Sequence, residues 1–257
     1  MSAVCCDVAV TAHAEVIPGV RLLRTVWPQS APAPHAGQFF TLRAWGADEA
    51  PFLSRPISVH KWDADTRTLE FLYQVRGQGT EKLAALPVGG TFQLTGPMGN
   101  GFDAAALAAR WPRIAVVGGG IGTAPLYQLV RELFAAGAVP DVFFGFADTP
   151  YCMEEYKGIA GVVKVSTDSG KYGFHGFVTQ LYDSADYDVV LVCGPTVMMK
   201  NAARLCAEKG TPCFVSMEKK MACGIGACLG CTCETRGGEG KSVCKNGPVF
   251  DATEVFF

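Results

Sequence analysis

Apolar residues in the first hundred positions come in short runs broken by turn-forming residues. Runs at 38–43, 57–61, 69–75 and 91–95 have strand length and strand composition, and no long helical period interrupts them. Many short strands at such spacing suggest a β-barrel or a sandwich. The pattern changes near Trp111 and Pro112. An apolar strand at 113–117 runs into a glycine-rich turn and then a helix at 124–136, on which Leu126, Leu129, Val130, Leu133 and Phe134 share one face. Strands follow at 142–146, 162–166, 188–193 and 212–216, with a short helix at 177–182 and a longer one at 196–208. Alternating apolar strands and helices predict a parallel sheet covered by helices. From Met217 the regular pattern stops, Gly and Cys dominate, and 235–240 has loop composition. The expected units are 1–103, β-rich; 104–216, α/β; and 217–257, a small cysteine-bearing module.

Composition fits that division. At 257 residues, 49% of them hydrophobic, the chain is long enough for two compact domains and a small module. A net charge of −2 gives no reason to expect nucleic acid or an anionic membrane as partner. The apolar stretches end at Gly or Pro and are too short to span a bilayer. The opening residues lack the basic and apolar regions of a signal peptide. Eleven cysteines are present, an odd number, and five of them fall between 223 and 244. That clustering points to a reducing cytoplasm and a metal or cluster site rather than to disulfides.

The spacing is Cys223-x4-Cys228-x2-Cys231, then twelve residues, then Cys244. It matches the plant-type [2Fe–2S] pattern, in which a tight loop wraps the cluster and a distant cysteine closes it. Gly224, Gly226 and Gly230 would relieve crowding and let backbone N–H groups face the sulfurs. A structural zinc ion on the same four thiolates is the alternative, although zinc knuckles favour paired C-x2-C. Cys233 would alternate away from the cluster and pack. Cys5, Cys6, Cys152, Cys206 and Cys213 read as ordinary thiols. His13, His35, His60 and His175 show no catalytic or metal spacing.

Between the strand at 113–117 and the helix that follows lie Gly118, Gly119, Gly120, Gly122 and Thr123. Such a turn lets the backbone approach a pyrophosphate at a helix N-terminus, or serves as a structural turn. Asp148, after the next strand, suits a free ribose hydroxyl and thereby NAD, or is a solvated turn residue. Arg55, Pro56, Ile57 and Ser58 form another short motif. Arg55 could clamp a phosphate and Gly79 with Thr80 could offer donors to an anion; a surface arginine and a β-turn would look the same.

Taken together the motifs resemble a known family. RPIS at 55–58, LYQVRGQGT at 72–80, GPMGNGF at 96–102, GGGIGTAPL at 118–126, CGP at 193–195, MACGIGACLGCTC at 221–233 and VCKNGPVF at 243–250 resemble the electron-transfer subunits of class 1B dihydroorotate dehydrogenases, within the ferredoxin–NADP reductase superfamily. The resemblance implies an N-terminal antiparallel barrel holding FAD, a central α/β domain for NAD, and a C-terminal [2Fe–2S] domain. It places FAD on Arg55, Pro56, Ile57, Ser58, Leu72, Tyr73, Gln74, Gly79 and Thr80, with Ser58 near flavin N5. The superfamily usually has Tyr where Ile57 stands, so stacking on the flavin would come from elsewhere, with Tyr73 the candidate. Cys193, Gly194 and Pro195 would lie beside the nicotinamide. The implied partner is a catalytic subunit with FMN that oxidises dihydroorotate, in a heterotetramer with two of each subunit. Electrons would pass through the cluster and FAD to NAD+, in pyrimidine biosynthesis, with no acid or base supplied by this chain. The rivals are a flavin and iron–sulfur subunit of a related NAD(P)H:ferredoxin oxidoreductase or hydrogenase, and a non-enzymatic zinc-binding scaffold.

Overall fold

A long hairpin begins the fold: β1 (Val4–Ile17) turns at Gly19, whose φ is +78°, into β2 (Val20–Val26). The computed structural model describes residues 3–255. Val8 and Val10 of β1 face inward while their neighbours face out, the period of two that one buried face imposes. Then come β3 (Phe39–Arg43), β4 (Arg55–Ser58), β5 (Lys61–Asp63), β6 (Thr68–Gln74), helix α1 (Gln78–Ala84) and β7 (Thr91–Met98). The strands form one antiparallel sheet in the order β4-β3-β7-β1-β2-β6-β5.

Two expectations need correction here. The run at 57–61 is not one strand, and the short helix α1 interrupts the β region at Gly79 and Thr80, read from sequence as anion donors or a β-turn. The chain crosses between the sheet's ends at Val59 and His60. The Val59 N–H bonds Gln38 O at 3.0 Å and the His60 N–H bonds Glu70 O at 2.9 Å. That crossover closes the barrel and removes exposed edge. Its interior is aromatic: Trp27 meets Phe40 edge-on at 5.0 Å, and Phe40 meets Phe71 at 5.6 Å.

The second unit opens with α2 (Ala104–Arg110), whose Asp103 cap accepts the Ala106 N–H at 3.0 Å. It continues through β8 (Ile114–Gly119), α3 (Ala124–Ala135), β9 (Asp141–Phe146), β10 (Val163–Thr167), β11 (Phe174–His175), β12 (Val189–Cys193), α4 (Thr196–Lys209) and β13 (Cys213–Ser216). These strands are parallel, in the order β11-β10-β9-β8-β12-β13. On α3, Leu126, Leu129, Val130 and Leu133 are buried, but Phe134 is 43% exposed because it lies at the margin of that stripe in the last turn. The helix expected at 177–182 is only a 3₁₀ turn, Val178–Gln180.

The remaining chain is not all loop. It makes a hairpin of β14 (Thr232–Glu234) and β15 (Gly240–Ser242), the short helix α5 (Val243–Asn246), and β16 (Val249–Asp251). β16 runs antiparallel along β13, pairing Phe250 with Val215. One apolar cluster joins Phe39 and Met98 of the barrel to Val215, Met217, Cys231 and Phe250. Another joins Leu72 and Phe102 to Leu126 and Leu129. The three parts therefore share cores.

Candidate functional site

The residues singled out from sequence fall in three places where these parts meet. The first is the cysteine loop. Each of the four sulfurs accepts a backbone N–H: Cys223 Sγ from Cys228 at 3.4 Å, Cys228 Sγ from Gly230 at 3.5 Å, Cys231 Sγ from Cys244 at 3.4 Å, and Cys244 Sγ from Gly226 at 3.1 Å. Burial works against a charged Cys223, but the N–H groups of Cys228, Ile225 and Ala227 outweigh it and bring its pKa down to about 6. Burial and the neighbouring Cys231 push Cys244 up to about 12.

Gly224 and Gly226 adopt φ of +70° and +81°, so the loop needs glycine there. A Cβ on Gly224 would lie 2.9 Å from Met98 Sδ, which shows how closely the loop seats on the barrel. Cys231 and Cys244 are buried, Cys223 is half-buried and Cys228 is exposed. Cys233 is buried and directed elsewhere, its thiol donating to Lys241 O at 3.3 Å.

The second place is the end of the parallel sheet. β8 lies between β9 and β12, and the chain leaves β8 towards β9, which makes the C-terminal ends of β8 and β12 the switch point of the sheet. Gly118 and Gly119 end β8, Gly120, Gly122 and Thr123 follow it, and Cys193, Gly194 and Pro195 close β12. The structure brings these two motifs into contact. A Cβ on Gly119 would lie 2.5 Å from Met198 Sδ and 3.0 Å from Pro195 Cδ. Thr123 is buried and its hydroxyl donates to Gly120 O at 2.9 Å, which fixes the turn before α3. Cys193 is buried, which raises its thiol pKa. Asp148 stands past the end of β9, exposed, with Thr149 Oγ1 3.3 Å away.

The third place is the corner between β4 and α1. All four residues of β4, Arg55 to Ser58, are half-buried. Arg55 Nε lies where a Cβ on Gly79 would be only 2.6 Å away, so the two motifs expected to cooperate do touch. The Arg55 side chain donates to Leu53 O, yet its Nε is buried without a partner. An orphaned buried donor fits an acceptor-rich anionic group such as a flavin pyrophosphate. Thr80 differs from expectation: its hydroxyl donates to Gly77 O at 2.9 Å and accepts the Arg76 N–H at 2.8 Å, so it caps α1. Tyr73 differs as well. Its ring is buried in the barrel core and its hydroxyl meets His13 Nε2 at 2.9 Å, so it cannot stack on a ligand. Leu72 packs into the shared core, and the Gln74 side chain accepts from Arg76 Nε at 2.8 Å.

Sequence reasoning missed Met98 under the cysteine loop and Met198 under the glycine loop. An isolated methionine carries no local signal of such packing. A groove of about 570 Å³ near Trp111, Asp188 and Pro212 lies at the opposite, N-terminal ends of the strands and gathers none of these motifs.

Residues 218–256 match the model of the iron–sulfur cluster binding domain of dihydroorotate dehydrogenase B. The chain is 44% identical to the dihydroorotate dehydrogenase B (NAD(+)) electron transfer subunit of Clostridium acetobutylicum, over 85% of each chain. It is 40% identical to that of Clostridium perfringens, over 87% of each. Among solved structures it resembles the NADH-dependent reduced ferredoxin-NADP oxidoreductase studied for flavin-based electron bifurcation, with a TM-score of 0.85 and 26% identity over 97% of this chain and 89% of that one. The ferredoxin reductase of carbazole 1,9a-dioxygenase shares the fold, with a TM-score of 0.66 and 19% identity over 82% of this chain and 68% of that one. With the cysteine cradle, the switch-point loops and the Arg55–Gly79 corner all in place, the chain belongs to the family of dihydroorotate dehydrogenase B (NAD(+)) electron transfer subunits.

Proposed function

We propose that the chain relays electrons in an NAD-dependent dihydroorotate dehydrogenase, an oxidoreductase of pyrimidine biosynthesis. The observation that carries this reading is the set of four sulfurs each held by a backbone N–H, in a chain akin to such subunits along most of its length. When bound, a [2Fe–2S] cluster supplies single-electron transfer and FAD supplies the exchange of single electrons for hydride to NAD+, with dihydroorotate oxidised at FMN in a partner catalytic subunit.

The chain's own residues hold and orient. Cys223, Cys228, Cys231 and Cys244 would ligate the irons, and the N–H groups on their sulfurs favour the reduced, more negative state. Arg55 to Ser58, the backbone at 72–74, Gly79 and the capped turn at Thr80 would hold the flavin, with Arg55 Nε satisfied by a phosphate oxygen. Gly118, Gly119, Gly120, Gly122 and Thr123 would admit the NAD pyrophosphate. Asp148 would take a ribose hydroxyl, and Cys193, Gly194 and Pro195 would flank the nicotinamide. The proton that joins two electrons to make the hydride would come from solvent, with no side chain of this chain assigned to carry it.

Burial gives the cysteine loop an outer and an inner side. Cys228 is exposed beside Ile225 and Leu229, which are 61% and 64% exposed, while Cys231 and Cys244 face the interior. Electrons would enter at the exposed loop, where the catalytic subunit docks, and leave inward. The assembly is a heterotetramer with two of each subunit, cytoplasmic, with units at 1–103, 104–216 and 217–257. Among the described residues no helix is long and apolar enough to cross a membrane.

The test is to mix the purified chain with its catalytic subunit, dihydroorotate and NAD+, and to follow NADH absorbance. NADH should form only when both subunits are present. Background rates, with NADPH-linked ferredoxin reduction instead, would select the related ferredoxin oxidoreductase, the second reading favoured by the 0.85 structural match. A colourless protein holding only zinc would select the scaffold.

A further inference from the structure

His60, Cys152 and Glu155 have no part in the relay. They come from separate segments: His60 from the crossover that closes the barrel, Cys152 and Glu155 from the loop after β9 of the nucleotide unit. Folding nevertheless gathers their donor atoms within 4.8 Å of one another.

The histidine is the informative member. Its side chain is 1% exposed. Nδ1 lies 2.7 Å from Ala124 O, and a carbonyl can only accept, so Nδ1 carries the proton. Nε2 is the ring nitrogen left for another partner. It is buried and has no hydrogen-bond partner. It lies 3.4 Å from Glu155 Oε2, close enough for one cation to bind both. Orienting an imidazole through a carbonyl on its far nitrogen is how metal-ligating histidines are held. The Tyr127 ring, 5.1 Å from the imidazole, and the buried Tyr156 restrict its movement.

The thiol fits the same description. Burial, with Glu155 and Glu70 nearby, pushes Cys152 up to about 12, so with no cation present it keeps its proton. A cation at this position reverses that preference, because the thiolate is the ligating form.

We propose that His60 Nε2, Cys152 Sγ and the Glu155 carboxylate form a binding site for one borderline-soft divalent cation of the zinc and cobalt class, separate from the cysteine loop. One nitrogen, one sulfur and one oxygen suit such ions and do not suit magnesium or calcium, which prefer oxygen alone. The fourth position opens to water past Glu155, which is 37% exposed. Binding displaces the Cys152 thiol proton to solvent and joins the barrel to the nucleotide unit through one ion.

The experiment uses the full chain with its iron–sulfur cluster intact. Wild type, C152S and E155Q are stripped with a mild chelator, incubated with zinc chloride, desalted, and analysed for zinc and iron. Wild type should retain one equivalent of zinc beyond either variant, at equal iron content, and zinc should raise its melting temperature but not theirs. With cobalt(II) alone, wild type should develop a thiolate-to-cobalt absorption band that C152S lacks. E155Q changes a partly exposed group with little change of shape, which keeps the comparison valid if C152S folds poorly. Equal zinc in all three proteins, no retained zinc in any, or uptake matched by loss of iron overturns the proposal. None of these outcomes depends on dihydroorotate or NAD+, so the relay stands or falls separately.

Discussion

Gly122 and Gly194 meet backbone to backbone: a Cβ on Gly122 would lie 2.5 Å from Gly194 Cα and 2.7 Å from Cys193 O. The loops after β8 and β12 are therefore joined by the absence of side chains. Gly122→Ala should part them and cost about 1–3 kcal/mol, as overpacking does. NADH affinity should fall about tenfold, equivalent to about 1.4 kcal/mol. Gly120 is the control. Its φ is +54° but open space surrounds its Cβ position, so Gly120→Ala should cost about 1 kcal/mol of backbone strain while keeping the two loops in contact. Calorimetric titration with NADH and thermal melts read both outcomes.

The contact between Arg55 and Gly79 predicts flavin retention. Gly79→Ala places a methyl 2.6 Å from Arg55 Nε and should displace the guanidinium, so less FAD survives gel filtration. Tyr73→Phe should leave FAD content unchanged, because the ring is in the core. It should cost about 1 kcal/mol through the lost bond to His13. A loss of flavin in Y73F would contradict the assignment.

The cysteines divide into four and one. Cys228→Ser should abolish the visible absorption of the cluster and dihydroorotate-to-NAD+ transfer, while flavin-dependent NADH oxidation by artificial acceptors persists. Cys233→Ser should keep full iron content, since its sulfur bonds Lys241 O, away from the loop. Iron analysis separates the two: a fall in C233S equal to that in C228S would give Cys233 a ligand's role.

Glu132 couples the barrel to α3. Its carboxylate accepts the Ala36 N–H at 2.9 Å and the Gln128 amide at 2.8 Å, and burial raises its pKa above the ordinary value of 4.5. A raised carboxyl binds protons more readily when folded than when unfolded. Its charged form therefore costs stability at neutral pH, and that cost is relieved as pH falls through the raised pKa. Glu132→Gln keeps the acceptor oxygen without the charge, so it should be as stable as wild type or more so at pH 7, by an amount on the order of 1 kcal/mol. The advantage should vanish towards pH 4. Melts across this range check the sign.

Much of the fold was legible because single faces dictate it. The apolar runs of the parallel strands and the stripe on α3 are buried on both sides or on one, and a buried face leaves a periodic trace. The hairpin of β1 and β2 was missed since outward-facing Cys5, Asp7 and Thr11, with the polar His13, interrupt its apolar residues. The cysteine spacing was legible because a chelating loop constrains neighbours in sequence. Tyr73 misled for the opposite reason: which face of β6 it occupies depends on pairing with β2, Tyr73 opposite Arg21, and no local pattern contains that. His60 gave no signal alone, because Cys152 and Glu155 reach it from ninety residues away.

The return of β16 to the edge of β13 has a mechanical consequence. A redox centre on a tethered module can swing between donor and acceptor and so gate each transfer by its own motion. Here the segment bearing the cysteines is fastened at both ends, by continuity from β13 and by the pairing of Val249, Phe250 and Asp251 with that same strand. Its Asn246 and Gly247 carbonyls also accept hydrogen bonds from Asn100 of the barrel. Such a centre behaves as a fixed terminal: the inward electron-transfer distance is set once, at folding, and only the arrival and departure of partners is left to regulate flow.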